Sequence, residues 1–290
     1  MGCAAEAIQP VLEADRSSEC FAKMFAIEIV NSEAQRREAF RLRYRVYCEE
    51  HAFERPENFP EQLEWDEFDG SACHAIVRHR QTGVPVGVVR LILRDSDRSQ
   101  HALPVEQVCG GLFDRSQTAK FSFRKNSIAE VSRFAVSKTA VAEVMGNTSS
   151  GRASGVAADN PQCIAAGNPF QNIVLGLIAA LFQMSASHGV DHWYALMEPA
   201  LARHLSRMGL RFTRVGPLVN HHGKRQPMMA SLAQLRKDIA SQNPVLHELI
   251  AIDEEPVVQR IRRIVHLGWP DRMLPRNLLI PACDLTAEPA

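Results

Sequence analysis

Two strongly apolar stretches of this chain each carry charge at their centre, and this limits its possible folds more than any other feature. Val86–Leu93 surrounds Arg90 with Val, Leu and Ile, and Ile128–Val136 carries Glu130 and Arg133 among Ile, Val, Phe and Ala. Both have the length and β-branched content of strands. A buried ion is costly unless it is paired, so each of these charges requires a partner from elsewhere in the chain. Arg43 shares a helix face with Phe40, Tyr44 and Tyr47, while Asp66 and Asp69 flank Phe68 and follow Trp65. Three arginines and three carboxylates therefore stand in apolar surroundings. Spacing alone leaves two readings open: structural ion pairs tying a sheet to a helix, or the polar wall of one pocket.

The remaining pattern supplies the frame. Met24–Val30 reads as a strand, and Ser32 with Gln35 forms a capping box opening a helix that runs toward His51. Cys73–His79 and Val84–Arg94 read as a hairpin joined by Gln81-Thr82-Gly83, followed by a long loop from Asp95 to Asn126 and a strand over Ser127–Ser137. Asn168-Pro169 opens a helix ending at Gly189. After it come a strand at His192–Met197, a helix at Pro199–Met208, a strand at Leu210–Val215, a turn at Asn220–Gly223 and a strand at Gln226–Ala230. This order gives an α/β (α+β) domain with a mixed central sheet flanked by helices. The expected organisation is a loose tail over 1–22, the domain over 23–230 with a Gly/Ala/Ser-rich insertion near 146–167, and a helical C-terminal extension over 231–290.

Composition closes several routes. With 33 basic and 33 acidic residues the formal net charge is zero, so nothing in the bulk charge supports nucleic-acid binding. Seven cysteines without a Cys-x-x-Cys pair suggest neither a zinc site nor a disulfide framework, and fit buried thiols in a reducing cytoplasm. Met1–Asp15 lacks the apolar run of a signal peptide, and the longest apolar run, Ile173–Met184, is too short for a membrane span. His221-His222 on a turn, with no third ligand, reads as a solvated turn and not as a metal site.

The segments Arg43-Tyr44-Arg45-Val46-Tyr47, Asp66-Glu67-Phe68-Asp69, Val89-Arg90-Leu91 and Glu130-Val131-Ser132-Arg133-Phe134 resemble, in order, the signature of the autoinducer (acyl-homoserine-lactone) synthases and the related N-acyl amino acid synthases. The resemblance covers Met24 to Val215. It implies a GNAT-like acyl-CoA N-acyltransferase fold. The functional positions it carries over are Arg43, Tyr47, Phe53, Asp66, Asp69, Arg90 and Phe134 for substrate binding, with Glu130 and Arg133 as catalytic. Phe53 stands where the lactone synthases have Trp, and Tyr47 where they have Phe, which argues against S-adenosylmethionine as the amine substrate. Gly216–Pro227, with the insertion and the C-terminal extension, is similar to acyltransferases associated with the PEP-CTERM/exosortase system.

The implied reaction moves a fatty acyl group from an acyl-carrier-protein or acyl-CoA thioester to the amine of an amino acid or similar small molecule, with no bound cofactor. Lactone synthesis and a non-catalytic acyl-ligand-binding role are the alternatives. Glu130 is expected to orient or deprotonate the amine. The arginines suit a substrate carboxylate or the organisation of Asp66 and Asp69. Strict alternation would put Glu130 and Arg133 on opposite strand faces, so the resemblance implies a β-bulge near Val131 or Ser132. Arg152–Ala157 imitates a phosphate-cradling Gly loop, but Pro161 interrupts any helix after it. Arg203, Arg207, Arg211 and Arg214 form a basic row: either a solvated face or a docking patch for acyl carrier protein. Leu175, Ile178, Leu181, Phe182 and Met184 are core residues of their helix, some of them suited to line an acyl tunnel.

Overall fold

The computed structural model describes residues 21–94, 102–121, 124, 127–149, 168–221 and 223–251. Strand β1 (Phe25–Ile29) leads into α1 (Glu33–Tyr44), whose first turn is closed by the Ser32 hydroxyl accepting from the Gln35 N–H. Gln35 in turn accepts from the Asn31 N–H, one residue before the cap, so only the Ser32 half of the expected capping box forms. The helix continues as a π-helical turn over Arg45–Glu50. β2 (Ala72–His79) and β3 (Pro85–Leu93) form the expected hairpin, with Gly83 at φ 71° in the turn.

The stretch expected to be one loop before the next strand instead holds two short helices, α2 (Pro104–Cys109) and α3 (Arg115–Thr118). Their length is below what periodicity resolves. β4 (Ile128–Val136) is followed by α4 (Lys138–Ser149), so helix extends into the segment expected to open the insertion at Gly146. Residues 150–167, with the Arg152–Ala157 motif, lie outside the described residues.

Next come α5 (Pro169–Ser187), β5 (His192–Met197) and α6 (Pro199–Arg207). The strand expected over Leu210–Val215 shrinks to β6 (Thr213–Arg214), and β7 (Val219–Asn220) turns into β8 (Lys224–Ser231). α7 (Leu232–Gln242) and α8 (Pro244–Ala251) then place Leu235, Ile239, Leu246 and Leu249 in the principal core. The domain boundary expected at 230 therefore falls inside that core. The tail to 20 and residues 252–290 lie outside the described residues.

The strand order is β1-β2-β3-β4-β5-β8-β6, with β7 on β8, and every pair is antiparallel except β4–β5. Helix α5 crosses one face of this sheet. It is long and apolar enough to pass as a membrane span by length and composition, yet 61% of its apolar window is buried inside the protein. Glycine allows the close approach: a Cβ on Gly87 would stand 2.7 Å from Ile173 Cγ2, and one on Gly176 would stand 2.6 Å from Phe21 Cζ. α1 covers the other face, where Ala39, Leu42 and Val46 pack on Ile76, Val88 and Ala135.

The parallel β4–β5 ladder runs only from Ile128↔His192 to Val131↔Ala195, although both strands continue. Beyond that point the strands part. The opening is the entrance to the site.

Candidate active site

A cavity of ≈ 650 Å³ lies at the parting of β4 and β5. One end is polar, lined by Tyr47, Asp66, Arg90, Glu130, Ser132 and Arg133; the other is apolar, lined by Ile178, Leu181, Trp193, Met197, Leu205 and Phe212. Phe53 and Phe134 also line it. A cleft with convergent polar groups at one end and an apolar lining at the other suits a ligand that is itself polar at one end and apolar at the other.

The polar end rests on a network of ion pairs. Arg43, wholly buried, donates through Nη1 and Nη2 to Asp69 at 2.7 and 3.1 Å, and through Nε to Glu64. Arg90 Nη1 donates to Asp66 at 2.6 Å and to Asp69 at 2.8 Å, while its Nε reaches Ser132 Oγ at 2.9 Å. Arg133 donates to Glu64 at 2.8 Å and to Asp66 at 3.1 Å and lies over the Tyr47 ring, 5.3 Å from its centroid. Asp66 caps the short 3₁₀ turn Glu67–Ser71, and Asp69 accepts from the Asp66 N–H at 2.7 Å, so the loop that supplies both carboxylates is itself fixed. Burial alone would raise the Glu64 and Asp69 carboxyls; for each the Arg43 charge is the largest opposing influence, and both are held below the ordinary carboxylate range. Arg43 and Asp69 do not line the cavity. They stand behind Arg90, Asp66 and Arg133 and hold them.

Glu64 is a site residue that the sequence reading misses. The signal is present, an acid between Leu63 and Trp65, but three carboxylates already balance three arginines without it. Counting Glu64 changes the balance: Glu64, Asp66 and Asp69 satisfy the arginines, and Glu130 is left over. Glu130 is 3% exposed and has no arginine within ion-pair distance among the described residues. Its Oε2 accepts from the Val105 N–H at 2.8 Å, a contact supplied by α2. Burial pushes its carboxyl up to about 7, with the Val105 N–H and the Arg90 charge opposing and Glu106 adding.

The bulge that lets Glu130 and Arg133 share a cavity is present, displaced toward the C-terminus from the expected Val131 or Ser132. The β3–β4 register passes from Arg90↔Ser132 to Val88↔Ala135, so Arg133 and Phe134 together oppose Val89. Arg133 takes φ 49°, a conformation uncommon outside glycine. A tightly held side chain fits that strain: the guanidinium is fixed by two carboxylates and a ring.

His74 faces the same network from β2. Its Nε2 is 3.5 Å from Asp69 Oδ1, yet neither ring nitrogen has a hydrogen-bond partner among the described residues. Burial, then the Arg43 charge, lower its pKa to about 4, so it stands neutral. The distance alone therefore does not make an ion pair.

Arg203, Arg207, Arg211 and Arg214 are all exposed, and no ion pair engages them among the described residues. Arg203 and Arg207 lie on α6, whose Leu201 and Leu205 line the apolar end of the cavity, whereas Arg211 lies beyond that helix and Arg214 is in β6. His221 also lines the cavity, while His222 lies outside the described residues. Of the cysteines, Cys48 and Cys109 are buried thiols and Cys73 is half-buried.

Residues 42–143, from α1 into α4, match the family model described as an acetyltransferase (GNAT) domain. Among solved structures the chain is similar to TofI in a ternary complex with an inhibitor and MTA, with a TM-score of 0.50 and 17% identity over 77% of this chain and 99% of that one. It is also similar to FeeM, an N-acyl amino acid synthase from uncultured soil microbes, at TM-score 0.48 and 16% identity over 74% and 94% of the two chains. BjaI, a CoA-dependent acyl-homoserine lactone synthase with SAM and isopentyl-CoA, gives 0.49 and 19% over 79% and 89%. No curated protein matches the chain in sequence. The family match covers residues 42–143, and the solved structure at TM-score 0.50 shares the fold.

Proposed function

We propose that this chain is a GNAT-type N-acyltransferase that moves a fatty acyl group from a thioester to the amine of an amino acid or similar small molecule. The observation that supports it most is Glu130: a carboxylate without an ion pair among the described residues, titrating near neutrality, in a cavity with both polar and apolar lining. The thioester carbonyl would lie at the parting of β4 and β5, with its acyl chain along Ile178, Leu181 and Leu205. The amine nitrogen attacks the carbonyl carbon, a C–N bond forms and the C–S bond breaks. The amine proton passes to Glu130, directly or through water, and the leaving thiolate takes up a proton to depart as the thiol. A bulge leaves its extra residue outside the ladder, which makes a backbone N–H near Arg133 available to the developing oxyanion.

Arg90, Arg133 and Asp66, with Tyr47, Phe53 and Phe134, would bind and orient the amine substrate; Arg43, Asp69 and Glu64 act through them as positioning residues. Acyl carrier protein is the donor carrier favoured here, docked on Arg203, Arg207, Arg211 and Arg214 beside the cavity, and the reaction would be cytoplasmic. The narrower likeness to PEP-CTERM/exosortase-associated acyltransferases rests on the Gly216–Pro227 segment. Mass spectrometry of lipid extracts from expressing cells tests the reading. Acyl amino acids, absent from a Glu130→Gln control, are expected; acyl lactones, or no new acylated amine, would overturn it.

A further inference from the structure

Glu50 closes the π-helical turn after α1 and takes no part in the chemistry above. Its carboxylate accepts from Ser137 Oγ at 2.6 Å, Thr139 Oγ1 at 2.6 Å, the Lys138 N–H at 2.9 Å and the Thr139 N–H at 3.2 Å. The next amide of α4, Ala140 N–H, donates to Ser137 Oγ at 3.1 Å, and Val141 N–H donates to the Ser137 carbonyl at 3.1 Å. Every N–H of the first turn of α4 is therefore used within the protein. Although partial burial alone would raise it, the Glu50 carboxyl is held below its ordinary range by these bonds, so the first turn faces a resident negative charge.

The position gives this meaning. α4 begins two residues beyond the end of β4, the strand whose Glu130–Phe134 segment lines the cavity. Neither Glu50 nor the first turn of α4 is among the residues that line the cavity, but the turn follows directly on the lining strand, and a helix N-terminus there would suit a phosphate through free N–H groups and the positive end of the helix dipole. From the bulge at Arg133 to Lys138 is five residues, roughly 16 Å at about 3.3 Å each, which suits an extended pantetheine arm.

We infer that Glu50 sets the class of acyl donor. By filling the α4 N-terminus with a carboxylate it denies that anchor to a nucleoside diphosphate, so the site takes a pantetheine thioester whose phosphate end is held by a carrier protein. This deepens the acyltransferase reading and rests on it. The test is calorimetric binding of octanoyl-pantetheine and octanoyl-CoA to the full chain and to Glu50→Ala and Glu50→Gln. The wild-type protein is expected to bind the two thioesters within about threefold of one another, because the diphosphate adds no contact. Glu50→Ala is expected to tighten octanoyl-CoA about tenfold or more while leaving octanoyl-pantetheine unchanged, and that unchanged value is the control for folding. Glu50→Gln, which removes the charge and keeps the size, should move the ratio in the same direction. A wild-type preference for octanoyl-CoA of tenfold or more, or a ratio that neither variant moves, overturns the assignment to Glu50 alone. Failure of the wild-type protein to bind either thioester would instead overturn the acyltransferase reading beneath it.

Discussion

Replacing Glu130 with Gln separates its chemistry from its cost to the fold. The folded carboxyl titrates near 7 against an ordinary 4.5, because burial disfavours the anion. At ~1.36 kcal/mol per pH unit, that displacement is worth about 3 kcal/mol. The sign follows from linkage: a carboxyl whose folded pKa is raised contributes its full stability below about 4.5 and loses it as pH rises through about 7. Glu130→Gln keeps an oxygen to accept from the Val105 N–H and has nothing to ionise. Relative to wild type, the variant should therefore gain about 3 kcal/mol between pH 4.5 and pH 8, read by urea denaturation at a series of pH values. In the same preparations thioester-dependent amine acylation should fall about a hundred- to ten-thousand-fold. The wild-type rate should rise with pH through about 7, where the variant's residual rate shows no such step. A stability difference independent of pH would show that Glu130 is not held near neutrality, and wild-type turnover in the folded variant would remove it from the mechanism.

Three further outcomes rest on the same site and its surroundings. Arg43→Met leaves Glu64 and Asp69 buried without their shared guanidinium, so it should cost about 3–5 kcal/mol in denaturant melts; a loss below about 1 kcal/mol would mean that the pairs carry no such weight. Charge reversal at Arg203 and Arg207 should raise the acyl-carrier-protein KM at low salt, with the difference shrinking as salt is added, while octanoyl-pantetheine kinetics stay unchanged; a carrier KM indifferent to both would remove this docking face. His74, neutral in the fold with its pKa lowered to about 4, contributes stability that is present above 6.5 and lost as pH falls toward 4. His74→Leu should flatten that acid limb in melts and change stability little at pH 8, since no hydrogen bond is lost; an unchanged acid limb would refute it.

The charges inside Val86–Leu93 and Ile128–Val136 were legible because apolar strands advertise them, and the energetic demand for partners pointed to Arg43, Asp66 and Asp69. What that demand could not supply was the pairing. Glu64 lies in an irregular loop without periodicity, and it takes the position beside Arg43 and Arg133 that a three-against-three count gives to Glu130. The bulge at Arg133 and Phe134 leaves no mark in composition, because the strain at φ 49° is offset by contacts made with residues far away in sequence. Helix α2 was likewise invisible at six residues, yet its Val105 N–H supplies the hydrogen bond to Glu130.

The charge left over after the pairing explains why one carboxylate can serve as a base. Glu64, Asp66 and Asp69 each meet at least one guanidinium, and Glu64 and Asp69 are held ionised well below neutral pH. Carboxylates so strongly engaged accept a proton only at high cost. For an amine of peptide N-terminal basicity, near 8, passing a proton to a carboxylate at 4.5 is uphill by about 5 kcal/mol, whereas passing it to one near 7 costs about 1 kcal/mol. An ammonium entering the cavity also brings the positive charge that Glu130 lacks, favouring the carboxylate just before it must accept the proton. Supplying Glu130 with a permanent cation, as by Val131→Lys or Ser132→Lys at the cavity wall, should therefore lower its pKa and the rate at pH 7 together. A lowered pH midpoint without loss of rate would show that proton transfer to Glu130 does not limit the reaction.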